Sequence, residues 1–314
     1  MGHNLTVLLY DDIKRAARRA GFDLCGVAPC RVLEQQRPHL EQWLAAGRHG
    51  GLDYLRREPG RRVDPSSLVD EARTVIVCAV SYNHGAHLRV EQAAAQGVPK
   101  IASYALAPDY HAVLKDMLHR MLGELRTSAG TGFAARGFVD TAPLLEKAWA
   151  IEAGLGWRGR NSLLITPDHG SFVVLGEIVT DAPADRYDAP YAGPGCGTCT
   201  RCVEACPAGA ICEPGVVDAG RCIARLTIEK PENGLHNDPL HGWIFGCDAC
   251  QSACPHNRRA RPGNPALAPV LDPAALTPAF WHSLTPTDFH ARMGRTPLAR
   301  AGLERLQKAV DTCK

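Results

Sequence analysis

The chain has 314 residues, 45% of them hydrophobic and 22% charged, which is enough to bury a full core and more than one average domain needs. No apolar run approaches the ~18 residues of a membrane span, and Val7-Leu8-Leu9-Tyr10 followed at once by Asp11 and Asp12 is not a signal peptide. The net charge of +2 is not that of a strongly basic nucleic-acid binder, although residues 255–314 carry nine Lys/Arg against four Asp/Glu. Gly2 with Thr6 fits a myristoylation pattern, but a helix starting near Thr6 accounts for the same residues. That helix is predicted to be capped by Thr6, to bury Leu9, Ile13, Ala16, Ala17 and Ala20, and to stop at Gly21. Thr74 to Val80 is a β-branched run, hence a buried strand, and Tyr110 to Leu125 places Leu114, Met117, Leu118, Met121 and Leu122 at helical spacing. After Val139-Asp140-Thr141-Ala142-Pro143 a further helix is expected from Leu144 to Gly154, with Pro143 in its first turn, where the missing N–H costs nothing. Ser162–Thr166 and Phe172–Val179, around Pro167-Asp168-His169-Gly170, read as a hairpin. Residues 1–190 are therefore expected to mix helices and strands around one sheet, and the Pro, Gly, Asp and Tyr after Asp181 to form a linker.

Thirteen cysteines in a chain without a secretory signal point to metal and not to disulfides. Cys196, Cys199, Cys202 and Cys206-Pro207 form C-x₂-C-x₂-C-x₃-C-P, in which three thiolates wrap one [4Fe–4S] cubane and the fourth reaches a second. Cys247, Cys250 and Cys254-Pro255 repeat the pattern without its first cysteine, where Ile244 stands. The crossed logic assigns Cys196, Cys199, Cys202 and Cys254 to one cluster, and Cys206, Cys247, Cys250 and one remote cysteine to the other. Cys212 and Cys222 are the candidates; Cys212 follows Cys206 too closely, which favours Cys222. The two C-x-x-C pairs also allow zinc, but seven thiols in two C-P-terminated runs suit cubanes better. Cys25, Cys30, Cys78 and Cys313 lie outside both runs. His84, His87, His111 and His169 lack metal spacing and read as structural or surface residues. A two-cluster module moves single electrons, so residues 1–190 are expected to hold the chemistry.

Several segments in one order then resemble the epoxyqueuosine reductases, cobalamin-dependent enzymes that reduce epoxyqueuosine to queuosine at the tRNA wobble position. They are Gly21-Phe22-Asp23-Leu24-Cys25-Gly26-Val27, Gly51-Leu52-Asp53-Tyr54-Leu55, Arg62-Val63-Asp64-Pro65, Asp109-Tyr110-His111 and Val139-Asp140-Thr141-Ala142-Pro143. Gly154-Leu155-Gly156-Trp157-Arg158-Gly159-Arg160-Asn161, Arg221-Cys222-Ile223, Leu226-Thr227-Ile228-Glu229 and the second cysteine run through Asn257 complete the match. The chain departs from the family at Ser103, usually Arg, and at Ala107, usually Gly, and it stops at Lys314 without the C-terminal helical-repeat region of many members.

The resemblance implies cobalamin bound without a protein His ligand, fed by two [4Fe–4S] clusters, with Asp140 as the acid. A helix N-terminus lowers a carboxyl pKa while burial against a corrin face raises it, so burial must win for Asp140 to donate at neutral pH; the plain alternative is a helix cap before Pro143. It further implies cofactor contacts at Arg62, Ala102, Asp140, Asn161, Leu164, Thr166, Leu175 and Glu229, a tRNA contact at Lys230, and a cluster ligand at Cys222. The expected class is α+β: a mixed α/β corrinoid-binding domain over 1–190, a bacterial ferredoxin-like two-cluster domain over 191–260 and a basic C-terminal tail over 261–314. The expected setting is a cytoplasmic monomer that meets tRNA carrying epoxyqueuosine and an external electron donor, and no membrane. Two rival readings use the same parts: a corrinoid reductive dehalogenase-like enzyme acting on a small molecule, and a non-catalytic electron-transfer subunit.

Overall fold

The computed structural model describes residues 6–229 and 239–313. Its centre is a four-stranded antiparallel sheet in the order β1 (Leu24–Pro29), β2 (Thr74–Ser81), β7 (Val173–Thr180) and β4 (Ala135–Phe138). Every residue of β2 is buried, because both faces of the sheet are covered. On one face Ile76, Cys78, Val80 and Ile178 meet the helices Tyr10–Ala20 and Tyr110–Ala129 through Ile13, Ala17, Leu114, Leu118 and Met121. On the other, Val75, Val77, Leu175 and Val179 pack under the helix Glu146–Glu152, whose Trp149 is fully buried. β1 can approach that helix only because residue 26 is glycine; a Cβ there would lie 2.1 Å from the Ala153 carbonyl oxygen.

A second core joins both ends of the chain. The short strand β3 (Lys100–Ile101) pairs in parallel with the strand Trp243–Phe245, so the segment that leads into the second cysteine run is hydrogen-bonded to the first half of the chain. Ile101, Leu106, Trp243 and Phe245 pack with Trp281, Phe289, Met293, Leu298 and Leu306. The segment expected as a basic tail is thus folded: helices Pro278–Ser283, Pro286–Met293 and Leu303–Thr312 close this core. The composition of 255–314 hid this, because its apolar residues are spaced between prolines and charges.

Three local expectations change. The first helix begins at Tyr10 and has no side-chain cap; Thr6 instead donates its hydroxyl to the Gly132 carbonyl, and Leu9 is 53% exposed. The helix after Pro143 begins at Glu146 with Leu145 as its N-cap, so Pro143 precedes the first turn. The hairpin does not form as such: Leu164–Ile165 pairs with Trp157–Arg158, β7 pairs with β2 and β4, and only a Thr166–Gly170 bridge closes the turn. Among the described residues no helix is long and apolar enough to cross a membrane.

Candidate functional site

Each cysteine run contains one helical turn, Arg201–Glu204 in the first and Ala249–Ser252 in the second. Cys196, Cys199 and Cys202 line one pocket together with Cys254 from the second run, and Arg160, Asn161, Ile165, Pro255 and His256 complete its wall. Trp157 stands edge-on to His256 beside it, ring centroids 4.9 Å apart. Cys206, Cys222, Cys247 and Cys250 form the second group, each within electrostatic reach of the others. Burial, and then the neighbouring sulfurs, pushes the Cys250 thiol well up, and burial pushes Cys247 up to about 12. Thiols so placed ionise only against a strong positive charge, which cluster iron supplies. Cys222 stands at the N-cap of the helix Ile223–Ile228. Cys212 is exposed and donates to the Ala210 carbonyl at 3.6 Å.

The departure at Ser103 has a local role beside this second group. Its N–H and its hydroxyl both donate to Asp248 Oδ2, each at 2.6 Å. Asp248 is buried between Cys247 and Ala249, and burial pushes its carboxyl up to about 6 against the pull of those two hydrogen bonds. Gly246 allows the run to lie on Ala102: its φ is +66° and a Cβ would sit 2.5 Å from the Ala102 Cβ.

Asp140 occupies a turn between β4 and the helix Glu146–Glu152, with φ at +57°. Asp109 caps the helix Tyr110–Ala129 by accepting the His111 N–H at 3.0 Å, and it also accepts from His111 Nδ1 at 2.7 Å. The other ring nitrogen, Nε2, faces Asp140 Oδ2 at 3.2 Å, and Tyr110 stacks on the imidazole at 4.1 Å. With a carboxylate at each nitrogen, His111 is held as imidazolium, its pKa raised to about 9. Its hydrogen bond in turn holds the Asp140 carboxyl below its ordinary value and outweighs burial. Burial does not win at Asp140, and the group that opposes it is His111, not a helix N-terminus; His111, read as structural or surface, is partly buried between the two carboxylates. Asp140 is also not the helix cap, which is Leu145.

Around Asp140 the structure gathers Tyr54, Arg62, Glu229 and Arg300, for Glu229, Asp140, Arg62 and Arg300 are the charges that act on the Tyr54 hydroxyl. Arg62 donates from Nη2 to the Tyr54 carbonyl at 2.9 Å, with its guanidinium 5.7 Å from that ring and its buried Nε without a partner. Glu229 pairs with Arg300 at 3.3 Å, and Arg305 donates to the Glu229 carbonyl. Asn161 stands at the wall of the first cysteine cavity with Nδ2 buried and unpartnered. Ala102, Leu164 and Leu175 are buried in apolar clusters. Thr166 commits its hydroxyl, N–H and carbonyl to the turn with His169 and Gly170, which leaves little for a ligand. Lys230 lies outside the described residues. Sequence reasoning missed His111 and Arg300 as members of this site; His111 stood within the quoted Asp109-Tyr110-His111, but nothing in its spacing tied it to Asp140.

Two crossed cysteine groups beside a carboxylate–imidazolium pair define a two-cluster iron–sulfur oxidoreductase. Residues 195–257 match the family described as "4Fe-4S double cluster binding domain", and residues 62–141 match "Epoxyqueuosine reductase QueG, DUF1730". The epoxyqueuosine reductase of Cyclobacterium marinum is 39% identical over 305 residues, 96% of each chain. That of Pseudomonas aeruginosa is 38% identical over 95% of this chain and 82% of its own. The chain belongs to the epoxyqueuosine reductase family. Among solved structures, the epoxyqueuosine reductase from Streptococcus thermophilus superposes with a TM-score of 0.82 at 26% identity, over 96% of this chain and 80% of that one. An epoxyqueuosine reductase crystallised with an epoxyqueuosine-modified tRNA-Tyr stem loop matches at 0.81 and 25% identity, with the same coverage.

Proposed function

We propose that this protein reduces epoxyqueuosine to queuosine in tRNA, with electrons passing through two [4Fe–4S] clusters and a corrinoid to a site at Asp140. The observation that carries this reading is the juxtaposition, in one fold of the reductase family, of two four-cysteine groups with the Asp109–His111–Asp140 chain. Cys196, Cys199, Cys202 and Cys254 would hold one cluster, and Cys206, Cys222, Cys247 and Cys250 the other. Arg62 Nε and Asn161 Nδ2, buried donors without partners, fit a cofactor rich in amide carbonyls. Bound there, a corrinoid would supply low-potential electrons to an electrophilic carbon.

The chain's own residues supply the proton. Removal of the epoxide oxygen as water consumes two electrons and two protons. His111 Nε2 holds a proton 3.2 Å from Asp140 Oδ2 at neutral pH, so the ionised Asp140 carboxylate relays that proton to the departing oxygen and His111 is left neutral. Glu229, fixed by Arg300, and Arg62 line the approach to the same turn. Stem-loop phosphates would meet the basic residues of the C-terminal segment, and such a substrate puts the work in the cytoplasm, done by a monomer served by an external electron donor.

Anaerobically reconstituted protein, given cobalamin, a low-potential reductant and an epoxyqueuosine-bearing stem loop, is expected to release queuosine. Halide released from a halogenated arene with no queuosine formed would favour a dehalogenase. Electron transfer to an acceptor with no bound corrinoid in the visible spectrum would favour a carrier subunit.

A further inference from the structure

Behind the Asp140 turn lies a carboxyl pair that the mechanism above does not use. Glu177 sits in β7 with 0% exposure, opposite Val77 and Phe138, on the apolar face that carries Leu175 and Val179. Neither of its side-chain oxygens has a hydrogen-bond partner among the described residues, and no cation is paired with it. A bare carboxylate is strongly disfavoured in such a place, so Glu177 keeps its proton. Glu146, in the first turn of the covering helix, is the nearest carboxyl acting on it. Glu146 Oε1 in turn accepts the backbone N–H of Asp140 at 2.7 Å. Asp140 has a left-handed φ of +57°, a conformation that persists only when its surroundings hold it.

We propose that Glu146 is a positioning residue for the reaction: backed by the buried, neutral Glu177 carboxyl, it accepts the Asp140 N–H and locks the Asp140 turn so that its side chain faces His111. The proposal rests on the reading of Asp140 as the group that passes the proton. The ionisable groups facing Glu146 are Glu177 on β7, Asp140 on the preceding turn, Tyr110 at the start of the helix Tyr110–Ala129 and Lys147 on its own helix. Burial, then the charge of Asp140, raises Glu146 to about 7, so the pair changes charge near neutrality while Glu177 stays protonated.

The test compares Glu146→Ala, Glu146→Gln and Asp140→Asn as reconstituted holoenzymes, reading kcat and KM for the modified stem loop, the cluster spectrum and corrinoid binding. A glutamine at 146 still accepts the Asp140 N–H; alanine cannot. Glu146→Ala is expected to lower kcat about 10- to 100-fold, as for a misplaced catalytic group, with KM within about threefold and clusters and corrinoid intact. Glu146→Gln should recover most of that loss and erase the inflection of the pH–rate profile near pH 7. A wild-type rate in Glu146→Ala, with Asp140→Asn slow, overturns the proposal and leaves the role of Asp140 standing. A full rate in Asp140→Asn removes the reading on which it rests. Should Glu146→Ala lose its clusters, Glu146→Gln decides: an unchanged inflection near pH 7 overturns the proposal, and its disappearance supports it.

Discussion

At the scale of single residues, the site is governed by one histidine between two carboxylates. Asp109 and Asp140 each accept from His111, and both interactions raise its pKa to about 9. A group whose pKa is higher folded than unfolded adds stability that is complete below the unfolded value, ~6.5 for histidine, and is lost as pH rises through the folded value. His111→Gln is therefore expected to lower unfolding stability at pH 6 and to match the wild type at pH 10, measured by chemical denaturation. Catalysis follows the same proton: wild-type turnover should fall as pH rises through about 9, where the imidazolium is lost. Asp140→Asn keeps the shape but cannot pass a proton, and turnover should drop ~10²–10⁴-fold with both clusters retained. A loss below ~3-fold would contradict the acid role. The residue types here were legible in the sequence, the pairing was not. It depends on a left-handed turn at Asp140 and on a helix that starts at Asp109, and neither leaves a periodic trace.

At the scale of elements, the cysteine runs were readable because cubane ligation is local: spacing of two and three residues dictates which thiolates converge. Strand β2 was readable because burial on both faces makes it one continuous β-branched run, and the helix Tyr110–Ala129 because burial of one face imposes a helical period. The segment 261–314 was misjudged because its helices are short and proline-started, with too few turns for a clear stripe. Yet Arg300, which holds Glu229, and the Arg295 carbonyl, which accepts the Asp109 N–H at 2.8 Å, both come from it. Trp281 anchors the segment, fully buried with Nε1 donating to the Leu276 carbonyl at 3.1 Å. Trp281→Ala is expected to cost ~3–5 kcal/mol and to weaken turnover as well, because the elements it holds reach Asp109 and Glu229. A variant of wild-type stability would show that the segment packs more loosely than its burial requires.

At the scale of the whole molecule, the linear division at 190 and 260 gives way to interleaving. β3 pairs with the strand before the second cysteine run, Ala102 lies under Gly246, and Ser103 holds Asp248, so the cluster-bearing part is built onto the part that carries Asp140. Such contacts cannot be read from one sequence, because each joins residues more than a hundred positions apart. They give electron supply and proton supply a common rigid frame. The proposed function requires eight cysteines from three separated segments to hold two cubanes in that frame. Iron and sulfide analysis after anaerobic reconstitution tests it most directly. About eight of each per chain are predicted, with Cys222→Ala losing one cluster and Cys212→Ala neither; four of each in the wild type, or zinc in place of iron, would contradict it.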